Sequence, residues 1–197
     1  MVMAEATNHY FKHLGVSDGL SQVCIPSIYQ DELGAVWLGT TEGLNRYNGK
    51  DVKVFQPSES NHGLTNNEIN ELCGDKNGRM YIRSGNDLIK LDIYTEQFTC
   101  LRQKGVYGLF CKKDTLWVSC ADGIYYYTGQ GTELTFFARV QKGFVGRALY
   151  VDKETVWVVT RKYLVAISRE DPLRQEILLT LDKGNCICLL YTSDAAD

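Results

Sequence analysis

Few side chains in this sequence stand at spacings that chemistry requires. Gly15-Val-Ser-Asp-Gly19 fits the Gly-x-Ser-x-Gly pattern of a nucleophile elbow, which needs a strand before the serine and a helix after it. No helical periodicity follows this phrase, so Ser17 is not expected to act as a nucleophile. His9, His13 and His62 show no metal-ligand spacing, and neither a His-Glu-x-x-His nor a phosphate-loop pattern occurs. Asp75-Lys-Asn-Gly78 opens like a calcium loop but lacks its later ligands and reads as a turn. Seven cysteines stand at 24, 73, 100, 111, 120, 186 and 188 without a Cys-x-x-Cys. Free cysteine behaves as a small buried hydrophobe, so core packing is expected. An oxidising compartment would permit disulfides, but sequence assigns no pairs. No catalytic residue, metal site or cofactor is therefore expected, which leaves binding by polar side chains on loops.

What positions those loops is a repeat. Trp37-Leu-Gly-Thr-Thr-Glu-Gly-Leu-Asn-Arg-Tyr47 aligns without gaps on Tyr81 to Leu91, Trp117 to Tyr127 and Trp157 to Ile167, with anchors 44, 36 and 40 residues apart. Asp31-Glu-Leu-Gly34 matches Asp75 to Gly78, while the later copies keep only Asp114-Thr115 and Glu154-Thr155 before the aromatic. Each copy reads as four short strands. The first is an apolar-alternating run (Val23 to Tyr29, Glu68 to Cys73, Gly108 to Cys111, Ala148 to Val151), and the anchor run is the second. A third follows a four-residue turn, and the fourth contains Val52 to Phe55, Gln97 to Cys100, Leu134 to Phe137 or Glu176 to Leu179. Four strands at a period of about 40–45 residues, joined by Gly, Asn and Asp turns, are the signature of a β-propeller blade. The expected fold is all-β: an incomplete propeller of about four four-stranded antiparallel blades forming an open arc. The blades run roughly 19–62, 63–105, 106–143 and 144–184, with a fifth starting at 185.

Trp37, Tyr81, Trp117 and Trp157 are expected to fill the space between neighbouring blades rather than to stack on a ligand. In a propeller the loops from fourth to first strand and from second to third gather on one face around the channel. Here the first class supplies Gln22, His62, Asn66, Asn67 and Arg147. The second supplies Glu42, Asn86, Asp87, Asp122, Arg161, Lys162 and Tyr163. Planar polar groups and aromatic faces hold sugars, and Arg or Lys hold acidic sugars. His62, Asn66, Asn67, Asn86, Asp87, Asp122, Arg147, Arg161, Lys162 and Tyr163 are the candidate ligand contacts.

The phrases His13-Leu-Gly-Val-Ser-Asp-Gly-Leu-Ser-Gln22 and Gln30-Asp-x-x-Gly-x-x-Trp-Leu-Gly-Thr-x-x-Gly-Leu-Asn-Arg-Tyr47 resemble the two-component regulator propeller family. Gly63-Leu-Thr-Asn-Asn-Glu-Ile69 fits the start of that family's second blade. The resemblance covers residues 10 to 187. It departs from the pattern at Tyr81 in place of Trp, and at Arg83-Ser84 in place of Gly-Thr. It implies the sensor part of a hybrid two-component histidine kinase controlling glycan use, lying in the periplasm and binding an oligosaccharide. It further implies a homodimeric parent protein with a β-sandwich, a membrane helix and a kinase beyond this segment. The alternatives are a propeller-built polysaccharide lyase or hydrolase, or a propeller sensor with another output.

Composition agrees without deciding more. At 44% hydrophobic the 197 residues suffice for a core. No apolar run reaches the roughly 18–20 residues of a membrane span, Arg161-Lys162 breaking the longest. Net charge is −3, and leaving out Asp194 and Asp197 gives 21 basic against 22 acidic residues. No basic patch exists, so this segment is expected to bind neither nucleic acid nor membrane. Residues 1–9 form a lead whose Ala4-Glu-Ala6 is either the end of a signal peptide or an arbitrary start. Residues 188–197 read as a translated sequencing-library adapter, since TGTCTCTTATACACATCT encodes Cys-Leu-Leu-Tyr-Thr-Ser, and are set aside.

Overall fold

The computed structural model describes residues 12–57, 63–129, 131–140 and 148–180. The expectations for the lead, for a fifth blade from 185 and for the adapter tail lie outside the described residues, as do His62 and Arg147.

Among the described residues sixteen strands form four sheets, each a consecutive antiparallel meander. Blade one holds β1 (Ser27–Gln30), β2 (Val36–Thr40), β3 (Gly43–Tyr47) and β4 (Val52–Phe55). Blade two holds β5 (Ile69–Gly74), β6 (Arg79–Ser84), β7 (Asp87–Asp92) and β8 (Gln97–Arg102). Blade three holds β9 (Val106–Lys112), β10 (Thr115–Cys120), β11 (Gly123–Tyr127) and β12 (Thr135–Ala138). Blade four holds β13 (Ala148–Val151), β14 (Thr155–Val159), β15 (Tyr163–Ser168) and β16 (Gln175–Thr180). The first strands lie side by side in chain order, β1 against β5, β5 against β9 and β9 against β13, so the blades form an arc.

One local expectation is corrected. The first strand starts at Ser27, not Val23, because Pro26 has no N–H for the ladder and disfavours its neighbours' pairing; Val23 is exposed. The Gly15–Gly19 phrase is a single 3-10 turn, Val16–Asp18, closed by Gly19 at φ 103°. It has neither the strand nor the helix of a nucleophile elbow.

The core is three slabs, one between each pair of neighbouring blades. Trp37, Leu44 and Phe55 of blade one pack on Ile69, Met80, Ile89 and Leu91 of blade two. Cys73, Tyr81 and Leu88 meet Val106, Leu116, Val118 and Cys120 across the second slab. Phe110, Trp117 and Ile124 meet Leu149, Val151, Val156 and Val158 across the third. Trp37 is fully buried, stacked on Phe55 at 5.7 Å between ring centres, with the Arg46 guanidinium 5.6 Å above its ring. Burying such a side chain transfers about 200 Å² out of water, roughly 5 kcal/mol. Arg46 and Lys53 of blade one both pair with Glu96 of blade two.

In blades one and four one acidic side chain ties the anchor to its own hairpin. Asp31 is buried and accepts the N–H of Leu33 (3.0 Å), the N–H of Ala35 (2.9 Å) and the indole N–H of Trp37 (2.7 Å). The Asp-x-x-Gly-x-x-Trp phrase is thus one hydrogen-bonded unit. In blade two Asp75 accepts the N–H of Asn77 at 2.9 Å and pairs with the guanidinium of Arg79, since Tyr81 offers no indole. The Asp75 loop is therefore a turn, as expected.

In blade four, Asp152 accepts the N–H of Glu154 (2.9 Å), the N–H of Thr155 (2.7 Å) and the Trp157 indole (2.7 Å). Asp152 was not legible as a copy of Asp31, because its turn is one residue shorter. In blade three the equivalent position is Lys112, whose Nζ reaches forward to the carbonyl of Val151 at 3.0 Å.

Two glycines of the repeat have distinct reasons. A Cβ at Gly39 would lie 2.7 Å from Cγ2 of Ile69, because the inner strand of blade two passes there. Gly43 has φ 122° at the start of β3 and would put a Cβ 2.7 Å from the Phe55 carbonyl.

Candidate ligand-binding face

The face carrying the predicted contacts is stitched by backbone. The Gly43 N–H donates to the carbonyl of Asn67 at 2.8 Å, joining a turn of blade one to the loop entering blade two. The Val106 N–H donates to the carbonyl of Asn86 at 3.0 Å and repeats the link between blades two and three. Within blades, Gly85 donates to Glu68 at 2.7 Å and Ala121 to Gly105 at 2.8 Å. In blades one and four a hydroxyl at the end of the second strand closes the turn: Thr40 Oγ1 donates to the Gly43 carbonyl at 2.8 Å, and Thr160 Oγ1 to the Tyr163 carbonyl at 3.2 Å. Ser84 Oγ donates to the Asn66 carbonyl at 2.8 Å. Cys120, a poor donor, stands at this place in blade three.

Most predicted contacts are engaged in this scaffold. Asn66 Oδ1 accepts the Glu68 N–H at 2.9 Å, and Asn67 lends its carbonyl to Gly43. Asp87 accepts the Lys104 N–H at 2.6 Å. Asp122 accepts from Arg102 at 2.8 Å and from the Tyr125 hydroxyl at 2.7 Å, linking blades two and three. Burial pushes the Asp122 carboxyl up, but these two donors outweigh it and hold it below the usual aspartate range. Gln22 Oε1 accepts the Val23 N–H, and the Glu42 carbonyl accepts from Gln56. Arg161 and Lys162 are exposed at the turn of blade four, while the Tyr163 ring is half-buried against the third slab.

Asn86 is the predicted residue that lines a cleft. This cavity of about 420 Å³ is bounded by Glu68, Asn70, Arg83, Gly85, Asn86 and Tyr107, where the inner end of blade two meets blade three. Asn70 Nδ2 donates to Glu68 Oε1 at 2.7 Å. Arg83 donates from Nε to Glu71 at 3.3 Å and from Nη1 to the Gly85 carbonyl at 3.2 Å. Burial pushes the Glu71 carboxyl up despite Arg83 beside it. Asn70 Oδ1 is buried without a hydrogen-bond partner among the described residues. Asn70 and Arg83 were missed as contacts because they lie on strands, and Glu68 because the apolar pattern placed it at the start of one, whereas β5 begins at Ile69; only the blade's geometry turns an inner strand toward the channel.

Comparison with known proteins places this fold. Residues 19–42 match the model of the family described as two component regulator propeller. This stretch of blade one is similar to that family. The chain is 40% identical over 53 residues to histidine kinase P4 of Formosa agariphila, covering 27% of this chain and 4% of the kinase. It is similar in fold to the extracellular domain assigned to the hybrid two component system BT3049 of B. thetaiotaomicron. That match has a TM-score of 0.70 and 21% identity, over 85% of this chain and 26% of that one. The extracellular domain of BT4673 from the same organism matches with a TM-score of 0.67 and 18% identity, over 88% and 28%. The chain thus spans about a quarter of the solved chains it resembles, and a far smaller share of the kinase. Among its described residues no helix is long and apolar enough to cross a membrane.

Proposed function

We propose that this propeller is the ligand-sensing part of a periplasmic sensor of a histidine kinase that controls glycan use, and that it takes an oligosaccharide. The single observation that carries the reading is the orphaned Asn70 Oδ1, buried in a polar cleft beside Glu68, Arg83 and Asn86. Buried polar atoms find partners, and a sugar hydroxyl supplies both the donor that Asn70 lacks and acceptors for the neighbouring N–H groups. Similarity to extracellular domains supports a location outside the cytoplasm. In the longer protein, ligand acts by favouring one arrangement of a homodimer, which requires different affinities for the two arrangements. The chain itself performs no catalysis and contacts neither nucleic acid nor membrane.

The test is calorimetry and thermal shift with a panel of neutral and uronate-containing oligosaccharides. At least one class is expected to bind and raise the melting temperature, and Asn70→Ala to weaken it by about tenfold, the equivalent of one lost hydrogen bond. Absence of binding across the panel by a cooperatively melting protein sinks the reading. Release of reducing ends or unsaturated products replaces it with the lyase or hydrolase alternative.

A further inference from the structure

The second slab holds a pair of thiols that the sensing reading does not use. Cys73, near the end of β5, faces forward from blade two, and Cys111, near the end of β9, faces back from blade three. Their sulfurs are 2.9 Å apart, although the residues are 38 positions apart in the chain. Cys73 is buried and Cys111 is half-exposed. Tyr29 of blade one closes the site from the other side: a Cβ on Gly74, the residue after Cys73, would lie 2.2 Å from the Tyr29 hydroxyl. The hydroxyls of Tyr29 and Tyr81 are buried without hydrogen-bond partners among the described residues. The thiols therefore have each other as neighbours in a largely apolar pocket.

We propose that Cys73 and Cys111 are a redox-active pair that closes to a disulfide, locking blade two to blade three. Two sulfurs already in contact need to approach by less than 1 Å to reach a covalent length of about 2 Å. The oxidant is a small-molecule or protein disulfide, RSSR. Cys111 meets it first, because burial, together with the Cys111 thiol beside it, pushes the Cys73 thiol up and keeps it protonated. The Cys111 thiolate attacks RSSR, forming Cys111–S–SR and releasing RS⁻. Cys73 then loses its proton to water and attacks the Cys111 sulfur, the protein S–S bond forms and the second RS⁻ leaves. In sum, two protein thiols and RSSR give one protein disulfide and two RSH. The bond would span two blades that otherwise meet through side chains and turn hydrogen bonds, so it acts on the stiffness of the arc. The proposal is independent of the sugar reading.

The test uses the purified chain, reduced and then incubated with oxidised glutathione. It is denatured, alkylated and digested without reductant, and the monomeric band is mapped by mass spectrometry. The expected result is a linked pair of peptides carrying Cys73 and Cys111, two hydrogens lighter than the free pair. A rise in melting temperature of roughly 5–15 °C that reductant reverses is also expected. Cys111→Ser removes the link and the rise. Should that variant fail to fold, the map of the unmutated chain decides alone. If Cys73 and Cys111 both stay alkylatable, or are found joined only to other cysteines, to glutathione or between chains, the proposal is wrong.

Discussion

Asp31→Ala is the sharpest test of how the blades are held. Three donors point at this carboxylate. The N–H of Leu33 belongs to an exposed residue and regains water when the carboxylate is removed, so it costs little. The N–H of Ala35 and the indole of Trp37 are buried and do not. Each buried donor left unpaired costs about 1–3 kcal/mol, which gives a loss of roughly 2–6 kcal/mol. That is a large share of the roughly 5–15 kcal/mol that holds a domain together. Asp31→Asn keeps an acceptor for the backbone but turns an NH₂ toward the indole N–H, so about half the loss is expected. Urea unfolding of the three proteins at low concentration reads the difference from the midpoint at constant slope. A cycle with Trp37→Phe is expected to show a coupling of about 0.5–3 kcal/mol. If Asp31→Ala stays within about 0.5 kcal/mol of the parent, the carboxylate does not fasten the blade and the account of the repeat phrase fails.

Two further outcomes follow from charge and from the open end of the arc. The N–H of Thr95 and other donors hold Asp92 below the ordinary range; at Asp152 burial pushes upward but the Trp157 indole and two backbone N–H groups outweigh it. A depressed carboxylate adds stability that is present above its unfolded value of about 3.9 and is lost as pH falls through the lower folded value. Stability is therefore expected to fall below about pH 4, less steeply in Asp152→Asn; equal slopes in the two proteins would exclude the assignment. Blade four leaves Trp157 half-buried and Ile177, Leu178 and Leu179 exposed at 39%, 42% and 49%. With no strand paired beyond β16 among the described residues, this edge is expected to drive self-association of the isolated chain, seen as a concentration-dependent shift in gel filtration with light scattering. A sharp monomeric peak with cooperative melting would show that the edge is tolerated.

The sequence by itself determined what is local. Alternation gave the strands, Gly, Asn and Asp gave the turns, and the recurrence of Trp37, Tyr81, Trp117 and Trp157 gave the blades, because each depends on neighbours within a few residues. Pro26 shifted one strand start for an equally local reason that the apolar pattern hid. Asp152 escaped notice because a turn shortened by one residue breaks the register on which the comparison with Asp31 rested. Tertiary structure alone decided which side chains meet across blades. Asn70, Arg83 and Asn86 share a cleft, and Cys73 touches Cys111, only because consecutive sheets turn their inner strands toward one channel and press opposite faces together. A strand's period says that a side chain faces one side or the other; what waits on that side comes from a different blade some 40 residues away, and only packing brings it there.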